Sequence, residues 1–145
     1  MGNNVNSCFA FRLFPVKADS LGDIIVKMGV TEVRLKIKNP RNPSKAYEGK
    51  FLVDSGATYT VVPSSILKKL GVKPHGEEEF SLADATHIKR KIGSVLYEYE
   101  GVERAAPVIF GEKGDSNLLG IFTLEALGLT LDPLKRTLHK AVLRL

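Results

Sequence analysis

Cysteine is almost missing from this chain of 145 residues: Cys8 stands alone, so no internal disulfide can form. A lone thiol fits a reducing compartment, and a cytoplasmic protein is the expectation. Tryptophan and glutamine are absent altogether. Low glutamine beside abundant Lys and Glu is a composition met in thermophilic proteins. No apolar run exceeds a few residues, which excludes a membrane-crossing helix, and no membrane partner is expected. Arg12 interrupts the apolar stretch over residues 9–16, so a secretory leader is not expected either. His75, His87 and His139 lack metal-ligand spacing, and neither a metal nor any other cofactor is predicted. The chain has no Gly-x-Ser-x-Gly elbow and no phosphate-binding loop ending in Gly-Lys-Ser/Thr.

Charge of one sign is not concentrated. The net charge is +5, yet only Lys89-Arg90-Lys91 forms a basic cluster, and Glu77-Glu78-Glu79 lies nearby with the opposite sign. Dispersed charge describes a solvated surface, so no nucleic-acid partner is expected. A small basic β-barrel that binds nucleic acid is the lesser alternative, and a steep salt dependence of binding would mark it.

What is present suits one domain with a real core: hydrophobic residues make up 43% and charged residues 26% of the chain. Residues 1–27, with Asn3, Asn4 and Asn6 and no clear period, read as an N-terminal extension; residues 28–145 read as a single domain. Val33, Leu35 and Ile37 alternate with Arg34, Lys36 and Lys38, the pattern of a half-buried strand. Residues 39–44 read as a turn-rich loop, and a second strand follows over 47–53. Pro63 and two serines open a short helix that Gly71 closes. Further strands are predicted over 80–83, 87–99, 104–110, 129–132 and 136–145, with a second short helix over 122–127. Strands dominate and the helices are short. The expected fold is all-β, a closed, mainly antiparallel barrel with two short helices.

Within that frame, Phe51, Leu52 and Val53 deliver Asp54 into a tight turn made by Ser55 and Gly56. A carboxylate at the end of a buried strand is costly to ionise, and acid–base chemistry is the usual reason for accepting that cost. The plainer reading is an Asx turn at a strand end. Two features favour chemistry. Ala57, Thr58 and the segment to Pro63 lead straight into a helix, and the distant Leu118-Leu119-Gly120 also precedes a helix. Hydrolysis by carboxylates takes two of them, one ionised to activate water and one protonated to polarise the bond attacked. The chain has one Asp-Ser-Gly, and Asp84, Asp115 and Asp132 lack its strand-turn context. The second carboxylate therefore has to be Asp54 of another copy, brought close by a two-fold axis.

Taken together, Asp54-Ser55-Gly56-Ala57 and Leu118-Leu119-Gly120 resemble the two motifs of the retropepsin-like aspartic proteases. The resemblance spans residues 30–137 and is closest to the cellular and microbial single-domain members, whose Asn-Pro-x-x-Pro-Ser matches residues 39–44. It implies a retropepsin-like closed barrel that forms one lobe of a two-fold symmetric homodimer. Asp54 would be catalytic, and Ser55, Gly56, Ala57 and Thr58 would form the active-site turn. A flap over residues 81–89 would cover a polypeptide substrate, with Leu82, Ala83, Asp84, Ala85 and Thr86 in contact with it. Leu118, Leu119 and Gly120 would support the turn. Three departures stand out: Ser55 in place of the commoner Thr, a flap without the glycines of viral relatives, and Phe122 where a small or polar residue is usual. A rival reading keeps the fold and drops catalysis, leaving an interaction and dimerisation module.

Overall fold

Period-two alternation translates directly into pairing. In the computed structural model, which describes residues 31–142, strand β1 (Glu32–Asn39) sends Leu35 and Ile37 inward and its charged residues outward. It pairs antiparallel with β2 (Asn42–Val53). The turn between them takes only Pro40 and Arg41. The predicted loop over 39–44 is therefore shorter than expected. Residues 42–46 are all exposed, so no apolar alternation announced them; Asn42 pairs with Asn39 and Ala46 with Lys38, on either side of a register shift. Asn39 is buried at this corner. Its Nδ2 donates to the Leu70 carbonyl (2.8 Å), and its Oδ1 accepts from the Arg41 amide (2.8 Å).

Beyond β2 come β3 (Thr60–Pro63), helix α1 (Ser64–Lys69), β4 (Gly76–Ser81), β5 (His87–Tyr99), β6 (Val102–Gly111) and β7 (Leu118–Leu119). Helix α2 (Ile121–Ala126), β8 (Leu129–Asp132) and β9 (Thr137–Lys140) complete the described chain. Helix α1 ends where Gly71 adopts φ +80°, a left-handed conformation that glycine enters without strain. Strand β4 begins four residues before the expected 80. Its glutamates lie opposite Lys91, Arg90 and Lys89 of β5, so cross-strand charge replaces the missing apolar signal. Strand β9 is shorter than the 136–145 prediction. Leu138 packs against the core instead of forming an exposed apolar edge, while Val142 is exposed.

Seven strands form one sheet in the order β1-β2-β7-β3-β6-β5-β4, and β1 also pairs with β5, so six of them close a ring and β4 is left as an outer edge. A separate ribbon joins β8 to β9. The all-β class expected from the sequence holds. Two pairings are parallel, however: β2 with β7 and β3 with β6. Strands β2 and β3 follow each other in sequence but do not pair; β7 lies between them. Inside the ring Phe51, Val62, Leu67, Val95, Tyr97, Val108, Leu119 and Leu124 are almost fully buried. Each such large side chain contributes about 1.5–3 kcal/mol of transfer free energy. The expected N-terminal extension over 1–27 and the end of the last predicted strand, residues 143–145, lie outside the described residues.

Candidate active site

Strand β2 carries Phe51 and Val53 into the core, and Asp54 follows at once, 3% exposed. Its amide donates to the Leu119 carbonyl (3.0 Å), which ties the strand end to β7. Its carbonyl accepts from the Ala57 amide (3.0 Å) and closes the turn. The side chain completes an Asx arrangement, with Oδ1 accepting from the Gly56 amide at 2.9 Å. Oδ2 is buried and has no hydrogen-bond partner among the described residues. Ser55, Gly56 and Thr58 are exposed, while Ala57 is buried beneath them.

Leu118 and Leu119 are fully buried and lie between β2 and β3. Gly120 passes directly beneath the turn. A Cβ there would come within 2.5 Å of the Tyr59 carbonyl carbon and 2.8 Å of the Thr58 oxygen, so only glycine fits without moving backbone. Helix α2 then starts under the turn, and its first amides find their acceptors there: Ile121 donates to the Ala57 carbonyl (2.8 Å) and Phe122 to the Thr58 carbonyl (3.0 Å). A helix start leaves its first N–H groups without intrahelical partners. Here the turn accepts from them, and each element fixes the other.

Sequence reasoning did not foresee the polar support below. Thr60 Oγ1 accepts from the Gly120 amide (3.0 Å) and lies 2.6 Å from Thr123 Oγ1, and both threonines are fully buried. The Tyr97 hydroxyl belongs to the same region and donates to the Pro107 carbonyl (2.9 Å). Burial pushes its pKa far above the ordinary tyrosine range, with the Thr123 and Thr60 hydroxyls offsetting a part, so it stays protonated. The available signal was a threonine at the head of the apolar run Val61-Val62, matched by another in the first turn of α2.

Across from the turn stands the β4–β5 hairpin. Leu82, Ala83, Asp84, Ala85 and Thr86 form its end, where the Leu82 amide donates to the Thr86 carbonyl (2.8 Å). Asp84 Oδ1 accepts from both the Thr86 amide (3.0 Å) and its hydroxyl (2.6 Å). These bonds, the hydroxyl's first, hold the Asp84 carboxyl below the usual carboxylate range. A cavity of about 250 Å³ opens between hairpin and turn. Of the five predicted flap residues only Leu82 lines it, together with Gly56, Ala57 and Thr58 from the turn. Ala83, Asp84, Ala85 and Thr86 lie away from its walls. Tyr59, Phe80, Arg90 and Asp115 do line it, and sequence reasoning missed them. Tyr59 is the hub of the aromatic contacts, edge-on to Phe80 (6.1 Å between centroids) and tilted against Phe122 (5.4 Å). Phe122 remains 44% exposed beside the site.

The other three aspartates in the domain are occupied elsewhere. Asp84 closes the hairpin end, and Asp132 accepts from the Leu134 and Lys135 amides. Asp115 accepts from the Glu112 amide (2.6 Å) and from Arg90 Nε (3.2 Å). Among the described residues no group of three or more His, Cys, Asp or Glu side chains is placed to hold a metal ion.

A family model described as aspartyl protease matches residues 33–121, a span that includes both the Asp54 turn and Gly120. The chain belongs to the aspartyl protease family, in keeping with its retropepsin-like motifs. Among solved structures it is similar to the solution structure of the simian foamy virus (mac) protease, at 19% identity and a TM-score of 0.44. That similarity covers 64% of this chain and 92% of the other. Among curated proteins none matches.

Proposed function

We propose that this protein is a homodimeric aspartic endopeptidase in which Asp54 from each of two copies forms one catalytic pair. The observation that carries the reading is Asp54 itself: a carboxylate 3% exposed, held by one oxygen, with its other oxygen buried and unpartnered among the described residues. A buried oxygen without a partner costs about 1–3 kcal/mol. A second carboxylic acid across a two-fold axis would supply a donor, since two carboxylates in contact hold one proton between them. Asp84 and Asp132 are spent on turn amides and Asp115 is ion-paired with Arg90, which leaves another copy of Asp54 as the natural source.

In the mechanism, the shared proton lets one carboxyl polarise the scissile carbonyl while the other takes a proton from water. Ser55, exposed at the outer side of the turn, would meet its counterpart across the axis. An extended polypeptide would lie between the turn and the β4–β5 hairpin, its side chains entering cavities such as the one beside Tyr59. No step calls for a metal or an organic cofactor. Residues 28–145 would act as the single catalytic domain, working in the cytoplasm.

A peptide library digested across a range of pH, with Asp54→Asn as the control, tests this reading. Cleavage should occur on the acidic side of neutrality, should decline as the shared proton is lost at higher pH, and should vanish in the variant. Cleavage that persists in a correctly folded Asp54→Asn protein would refute the proposal.

A further inference from the structure

Positive charge that the sequence spreads out is gathered by the fold at one corner. The bond from Asn39 Nδ2 to the Leu70 carbonyl holds the β1–β2 turn against the end of helix α1. Arg41 and Lys45 reach this corner from the side of the turn. The Lys45 ammonium lies beside Gly71, 4.0 Å from where a Cβ on that glycine would stand. Lys68 and Lys69 immediately precede Leu70, and Lys73 follows Gly71 closely. All five cations are exposed, and none forms an ion pair among the described residues. Carboxylates are missing from the segments that build the corner: residues 39–47 and 64–76 contain neither Asp nor Glu. Glu48 follows on β2, but on the opposite face of the strand from Lys45. Glu98 and Glu103, on β5 and β6, both hold Lys38, at 2.7 and 2.8 Å. A helix C-terminus accounts for Lys68 and Lys69. It does not account for Arg41, Lys45 or Lys73.

Five like charges on one corner repel one another, and an anionic partner relieves that repulsion. Residues 39–46 and 64–76 hold no Phe, Tyr or Trp, so the corner lacks the rings on which single-stranded nucleic acid stacks. The proposed reaction itself brings a polymer of another kind, a polypeptide. Position decides which part of it the corner can meet. Lys45 lies near the start of β2 and Asp54 just past its end. At about 3.3 Å per residue that separation is up to about 30 Å along the strand. An extended chain needs about nine residues to cross it. The ligand is therefore a stretch of the polypeptide remote from the bond being cut.

We propose that this corner is a docking site for an acidic stretch of the polypeptide substrate, about nine or more residues away from the bond that is cut. The assignment rests on the endopeptidase reading above and names the class of substrate that the site selects. Docking of this kind strengthens ground state and transition state alike, so it acts on KM and leaves kcat alone.

The test uses peptides with one cleavable segment, flanked on each side by a neutral linker and a tail of about six residues, all glutamate or all glutamine. At low salt, with linkers of about twelve residues, glutamate tails should lower KM about tenfold against glutamine tails, with kcat unchanged. The advantage should vanish with linkers of about three residues, and at about 0.5 M salt. A variant carrying Lys45→Gln, Lys69→Gln and Lys73→Gln should lose it while cutting the glutamine-tailed peptide as wild type does. A charge-matched variant carrying Arg34→Gln, Arg104→Gln and Lys135→Gln should keep it. Equal KM for the two tails in wild type would overturn the assignment. So would a glutamate advantage that survives in the first variant, one lost equally in both variants, or one undiminished with short linkers. An oligonucleotide held by wild type and released by the first variant, with no effect of the tails, would give the corner to nucleic acid instead. Affinities of the same peptides for Asp54→Asn protein separate the two claims. A glutamate preference in binding without any wild-type turnover keeps the docking site and removes the protease; turnover without preference does the reverse.

Discussion

A methyl group at position 120 would collide with the main chain of Thr58 and Tyr59, atoms that cannot swing aside as a side-chain end can. Gly120→Ala should therefore cost about 2 kcal/mol or more by displacing the turn that carries Asp54. Denaturant titration measures it, and a loss below about 0.5 kcal/mol would contradict the close approach described. The Thr60–Thr123 pair makes a different demand. Losing the Thr60 hydroxyl takes the partner from Thr123 and from the Gly120 amide, and losing the Thr123 hydroxyl leaves Thr60 with the Gly120 amide alone. Thr60→Val and Thr123→Val should each destabilise by about 1–3 kcal/mol. The double variant should cost less than their sum, because the second change removes a group that the first had already left unpaired. Strict additivity would mean that the two hydroxyls do not act together.

At the scale of elements, the hairpin depends on ionisation. Asp84 ionised accepts two bonds from Thr86; protonated, it accepts them weakly. Its folded value lies below the ordinary 3.8, so the stabilisation is present above that pH and is lost as pH falls through the lower, native value. The Thr86 amide resonance should titrate with a midpoint below 3.8, and a midpoint at or above it would contradict the bonding seen. Some elements were announced well by the sequence and others poorly, for physical reasons. Strand β5 was legible over its whole length, and β8 at both ends, because apolar residues alternate or turn residues bound them. The opening of β2 and the glutamates of β4 bury nothing, so periodicity could not reveal them. At the site the Asp54 turn could be read from the chain because its chemistry is local. Arg90, Asp115 and the two threonines could not, since residues distant in sequence give them their meaning.

For the whole molecule, the proposed two-copy site would make activity a property of pairs. Asp54→Asn is nearly isosteric and removes like-charge repulsion, so it should assemble at least as well as wild type. Mixing wild type with excess variant, with subunit exchange allowed, should lower activity per wild-type chain in proportion to the wild-type fraction. At fixed total protein, total activity then follows the square of that fraction. A linear dependence, with exchange verified, would mean that each chain holds a complete site. We propose residues 137–145 as an assembly element, because Leu138, Val142 and Leu143 read in the sequence as an apolar edge. With Leu138 already committed to the core, that role falls to the segment beginning at Val142. Truncation at Val142 should weaken dimerisation in sedimentation experiments; unchanged assembly would remove that assignment.

The position of β7 between β2 and β3 also governs when the site can exist. The turn holding Asp54 leaves the ribosome early, but the groups that brace it lie 60 residues downstream for the Thr60–Gly120 bond and 63 for the threonine pair. At ordinary rates of synthesis that is a delay of roughly 3–12 s. Throughout it the loop is unbraced and the ring is open, since long-range strand pairing waits on the last strand to arrive. A nascent chain therefore carries its Asp54 turn unbraced until Thr123 has been made, and the proposed pairing with a second copy can follow only after that.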